Sequence, residues 1–168
     1  MKQFVVVAFL FIIIVVLFAN INFNRLPKNT EIDGLVVYKS ERKLVAFSKG
    51  NIIKSYRIAL GKSPIGAKHF QGDNKTPEGV YYINGRNGYS IAYKNLGISY
   101  PNSNDLSNSK GKPTGGDIKI HGLMNTLWFI GNFHRLSDWT NGCIALNNFE
   151  MDELYNSVKT RTRIEIRP

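Results

Sequence analysis

The chain has 168 residues, 43% hydrophobic and 20% charged, with 22 Lys and Arg against 12 Asp and Glu for a net charge of +10. Once an apolar N-terminal segment is set aside, that length suits one domain with one core, and the ordinary composition excludes disordered, collagenous or repeat-built chains. The basic residues are dispersed, without zinc-finger spacing, an aromatic RNA-binding signature or a basic helix. Nucleic acid is therefore not expected as a partner, and anionic polymers or lipid headgroups suit the surface better.

From Phe4 to Ala19 there is no polar side chain; Lys2 precedes the run, and Asn20, Asn22, Asn24 and Arg25 follow it. It shows no amphipathic period, which argues against a core helix. A membrane span needs about 20 apolar residues, or about 17 at the lower limit, which including Ile21 and Phe23 reaches. Leu17-Phe18-Ala19-Asn20 lacks the small residues of a cleavage site. Residues 1–24 are accordingly expected to be a signal-anchor, in preference to a removed signal peptide, with a linker over 25–33 and one domain over 34–168. That domain is expected to be exported and extracytoplasmic, held at the membrane by the N-terminal segment.

β-Branched and aromatic residues bounded by turn formers predict short strands over 35–38, 44–47 and 52–60, the last two joined by Lys49-Gly50-Asn51. Residues 61–66 and 72–79 have loop composition, 80–83 reads as a strand, and 90–100 as extended chain interrupted at Gly97. The Ser-, Asn-, Gly- and Lys-rich stretch 102–116 predicts an exposed loop, a candidate lid over a cleft. In 117–121, alternation puts Ile118 and Ile120 on one face and Lys119 and His121 on the other, so His121 ends a strand. Asn147 with Glu150 three residues later matches a capping box, and Met151, Leu154, Tyr155 and Val158 follow at helical spacing. A strand over 163–167 closes the chain. The expected fold is mainly β, with β-sandwich-like mixed sheets and one or two short helices, preceded by an N-terminal transmembrane or signal helix.

Cys143 is the only cysteine, so no internal disulfide can form. In an oxidising compartment a lone thiol invites a chemical explanation, although a small buried cysteine is as common. Two features favour chemistry. Gly142 permits a tight turn that would expose the sulfur and converge the Gly142 and Cys143 amides on an oxyanion. A histidine, from among His69, His121 and His134, could act as base. The three histidines have no compact metal-ligand spacing, so neither a metal nor a cofactor is expected.

Ile120-His121-Gly122 and, after a variable stretch, Thr140-Asn141-Gly142-Cys143 resemble the L,D-transpeptidase catalytic domain family. The resemblance extends to Lys75-Thr76-Pro77-Glu78-Gly79 and Gly115-Gly116-Asp117, and spans about residues 34–167. It implies a peptidoglycan enzyme acting on stem peptides. Cys143 would be the nucleophile, His121 would handle the proton, and the Gly122 carbonyl would orient the imidazole. The outcome would be transfer to an amine, or hydrolysis by water. Thr140, Asn141, Asn147, Trp139 and Arg135 become candidate substrate contacts.

The sequence departs from the family pattern in two places. Ala145 stands where many members carry arginine, so Arg135, Arg86 or Lys119 would have to supply the charge, and Asn141 replaces a frequent histidine or lysine. A wall-binding module without catalysis is the alternative from another class, and nothing in the sequence indicates an oligomeric state.

Overall fold

The computed structural model describes residues 2–21 and 24–168. The apolar run forms α1 (Lys2–Ala19), exposed along most of its length and buried at Ala19. Its 18 residues span roughly 27 Å at 1.5 Å per residue, short of a hydrocarbon core about 30 Å thick. Among the described residues, no helix is long and apolar enough to cross a membrane. The expected anchor is therefore unsupported. Ile21, which was to lengthen the run, lies past the helix end, and Asn22 and Phe23 lie outside the described residues.

The domain begins with an antiparallel meander, β1 (Ile32–Tyr38), β2 (Lys43–Ser48) and β3 (Asn51–Arg57), close to the predicted strands. β4 (Gly79–Ser90) and β5 (Tyr93–Ile98) form a long hairpin. Next come α2 (Ser103–Asn108), β6 (Lys119–His121), a 3-10 segment (Asn125–Leu136) and β7 (Ile144–Ala145). The chain closes with α3 (Asn148–Ser157) and β8 (Val158–Arg167). The strands make one sheet in the order β3-β2-β1-β8-β4-β5-β6-β7, parallel at β1/β8 and β6/β7 and antiparallel elsewhere.

The expected sandwich is thus a single curled sheet. Past β3 the chain runs on to Gly61 and reaches the opposite edge, where Ala59 bridges Ala145 and Gly61 bridges Thr140. Ala59 and Ala145 exchange both backbone hydrogen bonds, at 3.0 and 2.8 Å. The space inside is filled by Leu35, Val37, Leu44, Tyr81, Leu96, Ile120, Ile144 and Ile164, with Met151 and Leu154 of α3 packed against them. Truncating a core residue such as Leu154 to alanine costs about 2–5 kcal/mol in comparable cores.

Two regions depart from the predicted pattern. Residues 102–116 contain α2, because Asn102 and Asp105 form a capping box and the buried Asp105 carboxylate accepts from Tyr81 Oη at 2.9 and 3.0 Å. Local composition could not show that tertiary bond. The stretch after His121 is no plain loop either. It winds as 3-10 turns kinked at Gly131, with Leu127, Trp128, Phe133 and Leu136 exposed. Gly131 has φ 46°, and a Cβ there would lie 2.3 Å from the Ala19 carbonyl oxygen, so only glycine lets α1 end against this segment. Asn20 Nδ2 donates to the Phe129 carbonyl at 3.0 Å, tying the two together.

Candidate active site

β6 and β7 run parallel with Ile120 opposite Ile144 and His121 opposite Ala145. Cys143, one residue before β7, therefore comes level with Lys119. By strand alternation, Lys119, His121, Cys143 and Ala145 share a face. His121 and Cys143 are diagonal neighbours on it, on the order of 8 Å apart at Cα given ~4.8 Å strand spacing and ~3.3 Å rise. Flexible side chains can close that gap.

The His121 ring is buried, with Nδ1 2.7 Å from the Gly122 carbonyl oxygen. A carbonyl only accepts, so Nδ1 carries the proton and Nε2 keeps its lone pair. The orienting turn is itself clamped: the Leu123 N–H donates to Asn148 Oδ1 at 2.9 Å, and a Cβ on Gly122 would meet that oxygen at 2.7 Å. Trp139 meets the His121 ring edge-on, with centroids 5.6 Å apart. Burial lowers the His121 pKa, the Gly122 carbonyl opposes this, and Lys119 adds to the lowering.

Cys143 Sγ is half-buried, 3.7 Å from the Asp117 carbonyl oxygen. Burial pushes its thiol pKa up, against the Lys119 backbone N–H and the charges of Lys119 and Lys68, which favour the thiolate. With the thiol raised and the imidazole lowered, the resting pair is neutral. The arrangement therefore suits proton transfer to His121 Nε2 as sulfur attacks, in place of a standing thiolate–imidazolium pair.

The turn that presents the sulfur is built from Thr140 to Cys143. Thr140 Oγ1 donates to the Cys143 carbonyl at 2.7 Å and accepts from Gly142 N–H at 3.1 Å. Gly142 has φ 133°, and a Cβ there would sit 2.7 Å from the Lys75 carbonyl oxygen, so the position requires glycine. Because the Gly142 amide is directed to Thr140, the Cys143 amide remains as the oxyanion candidate of the expected pair.

The expected substrate contacts separate into two groups. Thr140 is a buried staple of the turn. Asn147 caps α3 by accepting from Glu150 N–H at 2.9 Å, and donates to Asn132 Oδ1 at 2.6 Å. Arg135 is ion-paired to Glu150, with its side chain only 15% exposed. Asn141 and Trp139 instead reach open space. Asn141 accepts from Lys62 Nζ and borders a cavity of about 550 Å3 lined by Lys68, Gln71, Asn74, Gly116 and Asp117. Trp139 lines a second cavity with His134. Lys119 pairs with Asp117 at 2.6 Å, and Arg86 stacks on Tyr155 and donates to its carbonyl.

Ala145 is fully buried, with His121 and Ala59 as its strand partners, and brings no charge to the face it shares with Cys143. His69, one of the three candidate bases, is exposed on a loop. Asp138 accepts from Leu60 N–H at 2.8 Å and pairs with Arg42, joining the chain past β3 to the segment before β7. His134, the remaining histidine, is 4% exposed with both ring nitrogens unpartnered.

The family model for the L,D-transpeptidase catalytic domain (YkuD) matches residues 33–166. Among curated proteins, YafK of Escherichia coli (strain K12), provisionally named an L,D-transpeptidase, is 29% identical over 128 residues, covering 73% of this chain and 45% of its own length. Among solved structures, the helical cell shape determining protein Pgp2 from Campylobacter jejuni superposes with TM-score 0.62 at 22% identity, over 93% of this chain and 55% of Pgp2. Bd1075 of Bdellovibrio bacteriovorus gives TM-score 0.58 at 25% identity, over 82% of this chain and 48% of its own. The chain thus spans about half the length of the relatives it matches. With a match that covers the whole curled sheet and both halves of the thiol–imidazole face, the chain belongs to the L,D-transpeptidase catalytic domain family.

Proposed function

We propose that this domain is a cysteine acyltransferase that forms L,D-crosslinks between peptidoglycan stem peptides during wall remodelling that shapes the cell. Cys143 Sγ attacks a stem-peptide carbonyl while its proton passes to His121 Nε2. The tetrahedral oxyanion is met by the Cys143 amide, the C–N bond breaks, and the departing amine takes the proton from His121, leaving a thioester. An acceptor amine then gives its proton to His121 and displaces the sulfur. Water in the acceptor's place would make the same site a carboxypeptidase or crosslink hydrolase. The observation that carries this reading is the Nδ1–Gly122 bond, which leaves His121 Nε2 basic on the face it shares with Cys143. An extracytoplasmic location follows from the substrate, with the exposed apolar α1 read as an export signal.

The test is mass spectrometry of the full-length chain incubated with tetrapeptide-stem muropeptides. An acyl adduct on Cys143 with crosslinked products is expected, and shortened stems without crosslinks would indicate the hydrolase. A thiol that alkylates normally yet yields no adduct and no product would overturn the proposal.

A further inference from the structure

Strand pairing lays a floor that leads to Cys143. Gly85 of β4 pairs with Gly97 of β5, Gly97 pairs with Lys119 of β6, and Lys119 stands level with Cys143. A second row runs from Asn87 through Asn95 to His121. Directly paired residues put their side chains on one face of a sheet, so both rows share the face of Cys143 and His121. Leu96 and Ile120, one position along, are buried in the core on the other face.

A cavity of about 380 Å3 lies over this floor, bordered by Asn84, Asn95, Gly97, Asp117 and Lys119. Its end at Asp117 adjoins the thiol, because the Asp117 carbonyl oxygen is 3.7 Å from Cys143 Sγ. Glycines within strands mark places where another backbone can approach closely. A Cβ on Gly85 would meet nothing within 4 Å, so the floor is open there, and a Cβ on Gly97 would lie 2.4 Å from Asn84 Oδ1.

Asn95 is 5% exposed, yet among the described residues its carboxamide has no hydrogen-bond partner, and neither of its polar atoms is sealed from solvent. The surface that it keeps opens to the cavity that it lines. A carboxamide offers an oxygen and an N–H on the same side, matching the C=O and N–H of one extended residue, which also point the same way. Charge comes from Lys119, whose ammonium pairs with Asp117 at 2.6 Å. That carboxylate is 81% exposed, so the pair is weak in water and open to exchange. Arg86, the other cation at the border, is turned to Tyr155.

We propose that this groove binds an extended peptide segment that carries a carboxylate, with Asn95 bonding the N–H and C=O of one residue and Lys119 meeting the carboxylate. From Gly85 to Cys143 is three strand spacings, roughly 14 Å, the length of about four extended residues. That the segment belongs to the acyl-transfer substrate rests on the reading above; the selectivity for peptide and carboxylate does not. Asn95 and Lys119 are here specificity residues.

The test is titration of the full-length chain with acetyl-glycylglycine, its C-terminal amide and acetate, followed by the Asn95 side-chain amide and Gly97 backbone amide resonances. Acetyl-glycylglycine should shift both saturably. The amide, which lacks the charge, and acetate, which lacks the peptide, should each bind at least about tenfold more weakly. Lys119→Met should erase the difference between acid and amide, and Lys119→Arg should keep it. Asn95→Leu should weaken acetyl-glycylglycine about tenfold by the Gly97 shift, and the Lys119 pair, changed at a partly exposed side chain, tests the groove even if the leucine variant fails to fold. In turnover of muropeptides the Asn95→Leu loss should appear in KM, about tenfold. Absence of a saturable shift, or equal affinity for acid and amide in the parent chain, would overturn the proposal. Saturable, carboxylate-selective binding by a chain whose Cys143 never acylates would defeat the transpeptidase reading and leave the groove standing.

Discussion

The two walls beside His121 differ in how completely the chain satisfies its own polar groups. On the β6–β7 side, the Thr140 hydroxyl, the Gly142 amide, the Gly122 carbonyl and the Cys143 thiol each have an intramolecular partner. On the side of the 3-10 segment, His134, Arg135 and Trp139 keep bare nitrogens. The first wall is held in place by its own hydrogen bonds. The second buries polar nitrogens without partners, at a cost of roughly 1–3 kcal/mol per group. A wall bonded within itself and a wall with unmet polar atoms thereby meet at the Trp139–His121 contact.

Substitutions on the two walls should separate them. The largest effect belongs to Cys143→Ala, which should reduce product formation by about 10^4-fold or more and abolish the adduct while the melting temperature barely moves. Next, His121→Gln should lower turnover roughly 10^2- to 10^4-fold and leave the thiol open to iodoacetamide. If the resting pair is neutral, the alkylation rate in the parent chain should climb through a thiol pKa above 9, with no thiolate plateau in acid, and the acid limb of activity should fall below pH 6.5. A low-pH alkylation plateau would disprove neutrality.

Gly142→Ala should cost roughly 1–3 kcal/mol from its backbone conformation, more if Lys75 cannot yield, and depress activity beyond the loss of folded protein. Gly116→Ala, where a Cβ meets nothing within 4 Å, is the matched control and should be near-neutral. The smallest effect concerns pH. His134 is depressed from 6.5 to about 3, so below pH 6.5 the unfolded chain binds a proton that the folded chain refuses. Stability contributed by keeping this ring neutral is full above pH 6.5 and is lost progressively as pH falls toward 3. Thermal melts of His134→Leu should show a shallower decline over that window than the parent.

Most of the face shared by His121 and Cys143 could be read from sequence because its signals are local. Alternation through Lys119-Ile120-His121 set the face of the histidine, and Gly142 before Cys143 announced a turn that in fact has φ 133°. The α3 cap at Asn147 was likewise a short-range pattern, although Glu150 spends its carboxylate on Arg135 instead of closing the box. What stayed hidden depends on partners distant in the chain. Asp105 stabilises α2 through Tyr81, Asp138 joins sheet edges through Leu60 and Arg42, and Thr140 is consumed inside its own turn. The 3-10 segment was hidden for another reason: its apolar residues are exposed and follow neither strand nor helix period.

The bridges between Ala59 and Ala145 and between Gly61 and Thr140 have a kinetic consequence. They pair Ala59 and Gly61 with the turn that carries Cys143, contacts of long sequence separation whose loop-closure entropy is met late in folding. Until the sheet rolls shut, the β7 edge that carries Cys143 is paired on the β6 side alone, and Asp138 lacks the Leu60 N–H from which it accepts. Closing the sheet and fixing the surroundings of Cys143 are therefore one event, after which the β3 and β7 edges are no longer both open to pair with a neighbour.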